Sequence, residues 1–132
     1  MGVTKEILVP GAGPRPTKGA AVTVHCTGYG KDRDLNQKFW STKDPGQTPF
    51  TFSVGLQQVI KGWDEGVLGM KLGETARLTC TPDYAYGASG FPTWGIQPNS
   101  TLIFEIEVLK IEERVLTMTA VVVFVKLTSA DG

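Results

Sequence analysis

One stretch of this chain has helical spacing, and its two faces make it unfit to stand alone. In Val59-Ile60-Lys61-Gly62-Trp63-Asp64-Glu65-Gly66-Val67, a 3.6-residue period puts Val59, Trp63 and Val67 on one face and Gly62, Gly66 and Gly69 on another. Glycine has no β carbon, so a neighbouring backbone can approach the second face closely. A helix this short is marginal in water by itself. The sequence therefore asks for a sheet wrapped around it. Taken singly, Trp63 reads as a core residue, as large aromatic side chains usually are.

The rest of the chain supplies that sheet. Residues 5–9, 21–29, 37–40, 50–54, 74–80 and 101–111 are rich in branched or aromatic side chains and bounded by Gly, Pro or Asp, the pattern of strands. Leu102, Phe104, Ile106 and Val108 alternate with Glu105 and Glu107, which predicts a strand with one buried and one wet face. Pro10 to Pro16 and Lys43 to Gly46 read as turns, and Lys31 to Asn36 as a charged loop. The 16 glycines and 8 prolines fit a fold with many turns. The fold class expected is α+β: an antiparallel sheet of five to six strands curled around one short α-helix.

With 132 residues the chain is one domain with room for a real core. Lysine plus arginine equals aspartate plus glutamate at 13 each, which argues against sequence-independent nucleic-acid binding, since that rests on excess positive charge. No apolar signal core follows Met1, and Glu6 breaks the myristoylation pattern. A cytoplasmic address is expected, with nuclear access open to so small a chain. Asn99-Ser100-Thr101 spells a glycosylation acceptor that is inert without a secretory signal.

Several chemistries are missing from the sequence. Gly11-x-Gly13 lacks a third glycine, Gly87-Ala88-Ser89-Gly90 lacks the Lys-Ser/Thr ending of a phosphate loop, and Ser89 does not sit in a nucleophile elbow. His25 is the single histidine and there is no C-x-x-C, so a metal site lacks ligands and His25 reads as a hydrogen-bonding strand residue. No cofactor is expected.

What remains is an aromatic constellation. The run Val59-Ile60-x-Gly62-Trp63-x-Glu65-Gly66 precedes Asp83-Tyr84-Ala85-Tyr86-Gly87, and both are flanked by Val24-His25-x-Thr27-Gly28 and Thr101-Leu102-x-Phe104-x-Ile106-Glu107. Together these words resemble the peptidyl-prolyl isomerases of the FKBP type, over residues 3 to 112. The resemblance implies a pocket between sheet and helix. Trp63 would form its floor under a proline ring, and Phe39, Phe50, Val59, Ile60 and Phe104 its walls, with Ile96 at the loop edge. The Tyr86 hydroxyl and the Ile60 amide would be its donors. Ordinary core packing is the competing role for Phe39, Phe50 and Phe104.

This sequence departs from the family pattern at three places. Trp40 stands where an acidic residue usually follows Phe39, Cys26 where a tyrosine usually follows His25, and Phe91 where a histidine usually precedes Pro92. Trp40 and Phe91 are thus added to the substrate-binding set. The pair Cys26 and Cys80 resembles the plant branch of the small family members, and the family arrangement makes their strands plausible neighbours. Two outcomes stay open there, a disulfide or two free thiols kept reduced by the cytosol.

The resembling domain spans residues 1–113. Residues 114–132 form an extension whose uncharged run from Val115 to Val125 is well short of the ~20 residues of a bilayer span. No membrane anchoring is expected. Its valines favour strand, so it reads as an added edge strand, an intermolecular pairing segment or a disordered extension.

The leading function is thus isomerisation of X-Pro bonds in proline-containing peptides and unfolded chains by a monomer. The family also implies a receptor for macrolides of the rapamycin type. The alternative is a non-catalytic module in which the same pocket presents a composite surface to a kinase or phosphatase.

Overall fold

The computed structural model describes residues 2–113, so the extension expected over 114–132 lies outside the described residues. Strands β1 (Val3–Val9), β2 (Ala21–Tyr29), β3 (Lys38–Ser41) and β4 (Phe50–Ser53) are followed by helix α1 (Lys61–Leu68) and strands β5 (Thr75–Cys80) and β6 (Leu102–Glu112). Short 3-10 turns occupy Lys31–Arg33, Pro82–Tyr84 and Pro92–Trp94. Every pairing is antiparallel, in the order β1-β5-β6-β2-β3, with β4 also on β2. The expected α+β architecture is what the chain adopts.

β3 and β4 are two pieces of one interrupted edge. β3 pairs with Thr27 to Tyr29 and β4 with Ala21 to Val24, leaving the middle of β2 uncovered. Thr42 fills the gap. Its amide donates to the Cys26 carbonyl at 2.9 Å, and its hydroxyl oxygen accepts the Cys26 amide at 2.9 Å and meets His25 Nδ1 at 2.9 Å. His25 is therefore the hydrogen-bonded strand residue its sequence context predicted.

Alternation along β2, β5 and β6 turns Val22, Val24, Cys26, Ala76, Leu78, Cys80, Leu102, Phe104, Ile106 and Val108 onto one buried face. α1 lies against that face. The helix starts at Lys61, two residues later than the spacing from Val59 implied, and Ile60 is its N-cap. Its glycine face is filled at two positions, chiefly by side chains of β5 and not by the neighbouring backbone expected there. A β carbon on Gly62 would collide with Cys80 Sγ, and one on Gly66 would lie 2.6 Å from a Leu78 methyl. Gly69 ends the helix without such a contact.

Asp64 is buried within α1, and its carboxylate accepts the amides of Gly55 at 2.9 Å and Gln57 at 2.7 Å. That pair of bonds fixes the loop leading from β4 into Val59 and Ile60. At the other end of α1, Lys5 and Arg15 donate to the Gly69 carbonyl at 2.7 and 3.2 Å, placing cations at the negative end of the helix.

The cysteines require a correction. β2 and β5 are not neighbours, because β6 runs between them: Cys26 stands opposite Ile106, and Cys80 opposite Leu102. Both are buried free thiols, so no disulfide joins them. Burial pushes the Cys80 thiol up to about 12. Burial, and then the charge of Cys80, hold Cys26 well above the ordinary thiol value.

Candidate functional site

A cavity of about 430 Å³ opens between α1, the β3–β4 edge and the loop after β5. Its lining is Trp40, Gln47, Phe50, Gln58, Val59, Ile60, Trp63, Tyr86, Trp94 and Phe104. That volume falls in the ordinary range for small-molecule sites, about 300 to 1,000 Å³. No charged side chain is among its walls.

The cavity is built by elements that each deliver one part. α1 carries Trp63 inward, only 4% exposed, where its ring meets Phe52 and Phe104 at 5.5 Å and Phe50 at 5.9 Å between centroids. The Trp63–Phe104 pair is edge-on at 89°, an arrangement in which the positive edge of one ring meets the negative face of the other. Trp63 Nε1 is buried with no hydrogen-bond partner among the described residues. Leaving a buried donor unpaired costs about 1 to 3 kcal/mol, which a tryptophan serving only as filler would not ordinarily carry.

Two donors face the cavity. Ile60 caps α1 with its carbonyl, which accepts from Trp63 and Asp64 at 3.0 and 3.1 Å. Its own amide bonds to no described residue. Tyr86 sits half-buried between two glycine-rich turns, and its hydroxyl likewise has no partner among the described residues. Burial, and then the charge of Cys26, raise its phenol above the usual value, so it remains a protonated donor through neutral pH. On its outer side the Tyr86 ring stacks on Phe91, 5.3 Å between centroids.

Of the residues expected from sequence, Trp40, Phe50, Val59, Ile60, Trp63, Tyr86 and Phe104 come together on the cavity wall. Phe39, Phe91 and Ile96 do not reach it and instead stand behind the lining. Phe39 stacks on Trp94 at 5.5 Å and meets Phe104 edge-on at 5.9 Å. Ile96 is buried, and its amide and carbonyl bridge to Phe91 at 3.1 and 2.9 Å. That bridge closes the short turn Pro92–Trp94, ended by Gly95 with φ of 73°, a conformation that favours glycine.

Trp94, Gln47 and Gln58 line the cavity and were not expected. Trp94 lies in a turn with no periodicity to reveal it; the one signal was a large aromatic beside Pro92 and Gly95. Gln58 was hidden by its polar type, but its Oε1 accepts the Ser53 amide at 2.9 Å and so braces the end of β4. Near this edge the Asp44 carboxylate is paired with the Lys38 ammonium at 2.6 Å.

An apolar, uncharged cavity with an aromatic floor and two free donors matches what the comparisons with known proteins return. The model of the family described as FKBP-type peptidyl-prolyl cis-trans isomerase matches residues 13–109. The chain belongs to this family. The FKBP-type chain is 74% identical over 110 residues to peptidyl-prolyl cis-trans isomerase FKBP12 of Vicia faba, covering 83% of this chain and 98% of that protein. It is 68% identical over 112 residues to the protein of the same description from Arabidopsis thaliana, covering 85% of this chain and 100% of that one. With FK506-binding protein 1 of Gibberella zeae it shares 49% identity over 111 residues, or 84% and 99% of the two chains. No helix among the described residues of this FKBP-type chain is long and apolar enough to cross a membrane.

Proposed function

We propose that this chain accelerates rotation about X-Pro bonds in the cavity over Trp63, without a covalent intermediate or cofactor. The observation that carries the reading is the pairing of an aromatic, charge-free cavity with two unengaged donors, the Ile60 amide and the Tyr86 hydroxyl. An X-Pro bond resists twisting by ~18 to 20 kcal/mol because rotation destroys amide resonance. The planar amide is the more charge-separated form and gains more from water. Moving it against Trp63, Phe50 and Phe104 removes that advantage, so the twisted state is favoured by comparison. The two donors hold substrate carbonyls while the bond turns. A thousandfold acceleration needs only ~4 kcal/mol, within reach of a few such contacts.

Macrolide binding belongs to the same reading. The Gibberella zeae relative is called an FK506-binding protein, and a cavity of about 430 Å³ with apolar walls suits such a ligand. Trp40 in place of a rim carboxylate alters the edge that a rapamycin-type macrolide would touch. A monomer in the cytoplasm, offering a ligand-bound surface to a third protein, completes the proposal. The free thiols at Cys26 and Cys80 suit that reducing compartment. A non-catalytic module would use the same donors, and the enzyme is favoured by the relatives at 74% and 68% identity described as peptidyl-prolyl cis-trans isomerases. The test is isomerisation of a proline tetrapeptide. Acceleration inhibited by FK506 is expected, and an uncatalysed rate at micromolar protein overturns the reading.

A further inference from the structure

β1 is an outer strand of the sheet: β5 pairs with one of its sides, and among the described residues nothing pairs with the other. The Thr81 amide donates to the Gly2 carbonyl at 2.9 Å, in the register that β1 and β5 keep. Bonded and non-bonded pairs alternate along an antiparallel ladder, so the amides and carbonyls of Val3, Lys5 and Ile7 face the open side. The end of this edge is apolar, with Ile7 52%, Leu8 39% and Val9 53% exposed. Lysine commonly guards such an edge. Here Lys5 is drawn off it, to the Glu74 carboxylate at 2.8 Å and the Gly69 carbonyl at 2.7 Å. On the far side of the sheet β4 has only four residues, and its outward Ser53 amide is already taken by Gln58.

The chain that follows β6 can reach β1. Both β6 and β1 run antiparallel to β5, so a segment turning back after Glu113 meets β1 antiparallel. Val9 shares a row with Thr75 and Glu107. Returning to that row and crossing three strand spacings, about 14 Å, takes about seven residues. Ala120 then stands beside Val9, and Ala120-Val121-Val122-Val123-Phe124-Val125-Lys126 matches Val9 to Val3 residue for residue. Val121 to Val125 are all β-branched or aromatic, the types that favour strands.

We propose that residues 120–126 pair with the open edge of β1, antiparallel, as a seventh strand of the sheet. They take up the amides and carbonyls of Val3, Lys5 and Ile7 and cover the apolar end of the edge. Tethering to β6 favours this segment over a second copy, because a short linker holds it at an effective concentration in the millimolar range. No residue of β1 lines the cavity, so the added strand leaves the isomerase site open.

The test follows amide exchange in the full chain by NMR, comparing wild type with Val122→Pro together with Val123→Pro, which removes a donor from both sides of the segment. In wild type the amides of Val3, Lys5 and Ile7 should exchange about tenfold or more slowly than in the variant, while those of Thr4 and Glu6, which face β5, change little. Sedimentation should give a monomer at every concentration used. Equal exchange of Val3, Lys5 and Ile7 in the two proteins, fast or slow, overturns the docking. So does protection that arises only as a dimer forms, which would assign the edge to a second copy. Near-UV circular dichroism checks the fold; if the proline variant has lost it, Val122→Gly with Phe124→Gly makes the same comparison through lowered strand propensity.

Discussion

Gly62 packs against Cys80 so tightly that the helix has no room for a β carbon at that position, and the Tyr84 carbonyl closes the same space at 3.0 Å. There α1 rests on the Cys80 side chain of β5 and on the backbone of the turn that follows it. Gly62→Ala should cost about 1 to 3 kcal/mol as overpacking. In chemical denaturation, the double variant Gly62→Ala with Cys80→Ala should be less destabilised than the sum of the two singles, because the smaller side chain yields space. Additive losses would show that the Tyr84 carbonyl, not the sulfur, sets the limit.

Trp63 is both core and floor, so the choice of substitution matters. Trp63→Ala removes a nearly buried indole and should cost ~3 to 5 kcal/mol, which confuses folding with function. Trp63→Leu keeps more of the volume. It should remain folded, judged by its denaturation midpoint, while kcat/KM for a proline tetrapeptide drops at least tenfold. Wild-type catalysis in the folded leucine variant would remove Trp63 from the site.

How much could be read from the chain differs between its parts. The strands were legible because Leu102, Phe104, Ile106 and Val108 alternate with polar neighbours, and the structure buries all four. The helix was legible in its glycine face but not in its start: Ile60 is the N-cap, and the Asp64 carboxylate holds Gly55 and Gln57 in the loop before it. The order of strands could not come from periodicity. The expectation that Cys26 and Cys80 lie on adjacent strands failed for that reason: β6, the last strand in sequence, inserts between them. Trp94 was missed because a turn leaves no repeating pattern. Phe39, which the family resemblance places in the wall, and Ile96, which it places at the loop edge, stand outside the lining, and in sequence an aromatic or branched residue reads the same whether it lines a cavity or backs it.

Tyr86→Phe isolates one donor. The fold should persist, since the hydroxyl bonds to no described residue, and affinity for a pocket ligand should fall by about 0.5 to 1.5 kcal/mol, the worth of one hydrogen bond. The phenol is raised by burial and then by Cys26. Its folded pKa exceeds the unfolded one, so stability is full below about pH 10, the unfolded tyrosine value, and declines as pH rises through that range. Titration calorimetry and alkaline melts of the two proteins check both statements. Identical ligand affinity would remove the donor role.

The two thiols make a prediction about reactivity. Cys80 is pushed to about 12 and Cys26 is also raised, so at pH 8 neither offers an appreciable thiolate. An aromatic disulfide reagent should leave both untouched in the native protein and titrate both in denaturant. Mild oxidation should leave the mass unchanged. Loss of two hydrogens from the native monomer would mean that the strands flanking β6 can bring these sulfurs together after all.

Glu74 is 1% exposed and should govern the acid limb of stability. Burial by itself would raise its carboxyl. Against that stand the Lys5 ammonium at 2.8 Å, the Lys71 amide at 3.0 Å and the charges of Lys5 and Arg15, which together hold it below the ordinary value. A carboxylate favoured in the folded state adds stability above its unfolded pKa of about 4.3, and that stability is lost as pH falls through this value towards the lower folded one. Glu74→Gln keeps the shape but gives Lys5 no charge to meet. At pH 7 it should cost about 1 to 3 kcal/mol, as a charge-assisted bond is lost in a buried place. Because Lys5 also donates to the Gly69 carbonyl, the variant should loosen β1 from the end of α1, seen as faster amide exchange over Val3 to Val9. Melting temperatures from pH 7 down to pH 3 should fall more steeply for wild type than for the variant. Parallel curves would assign the acid sensitivity to other carboxylates.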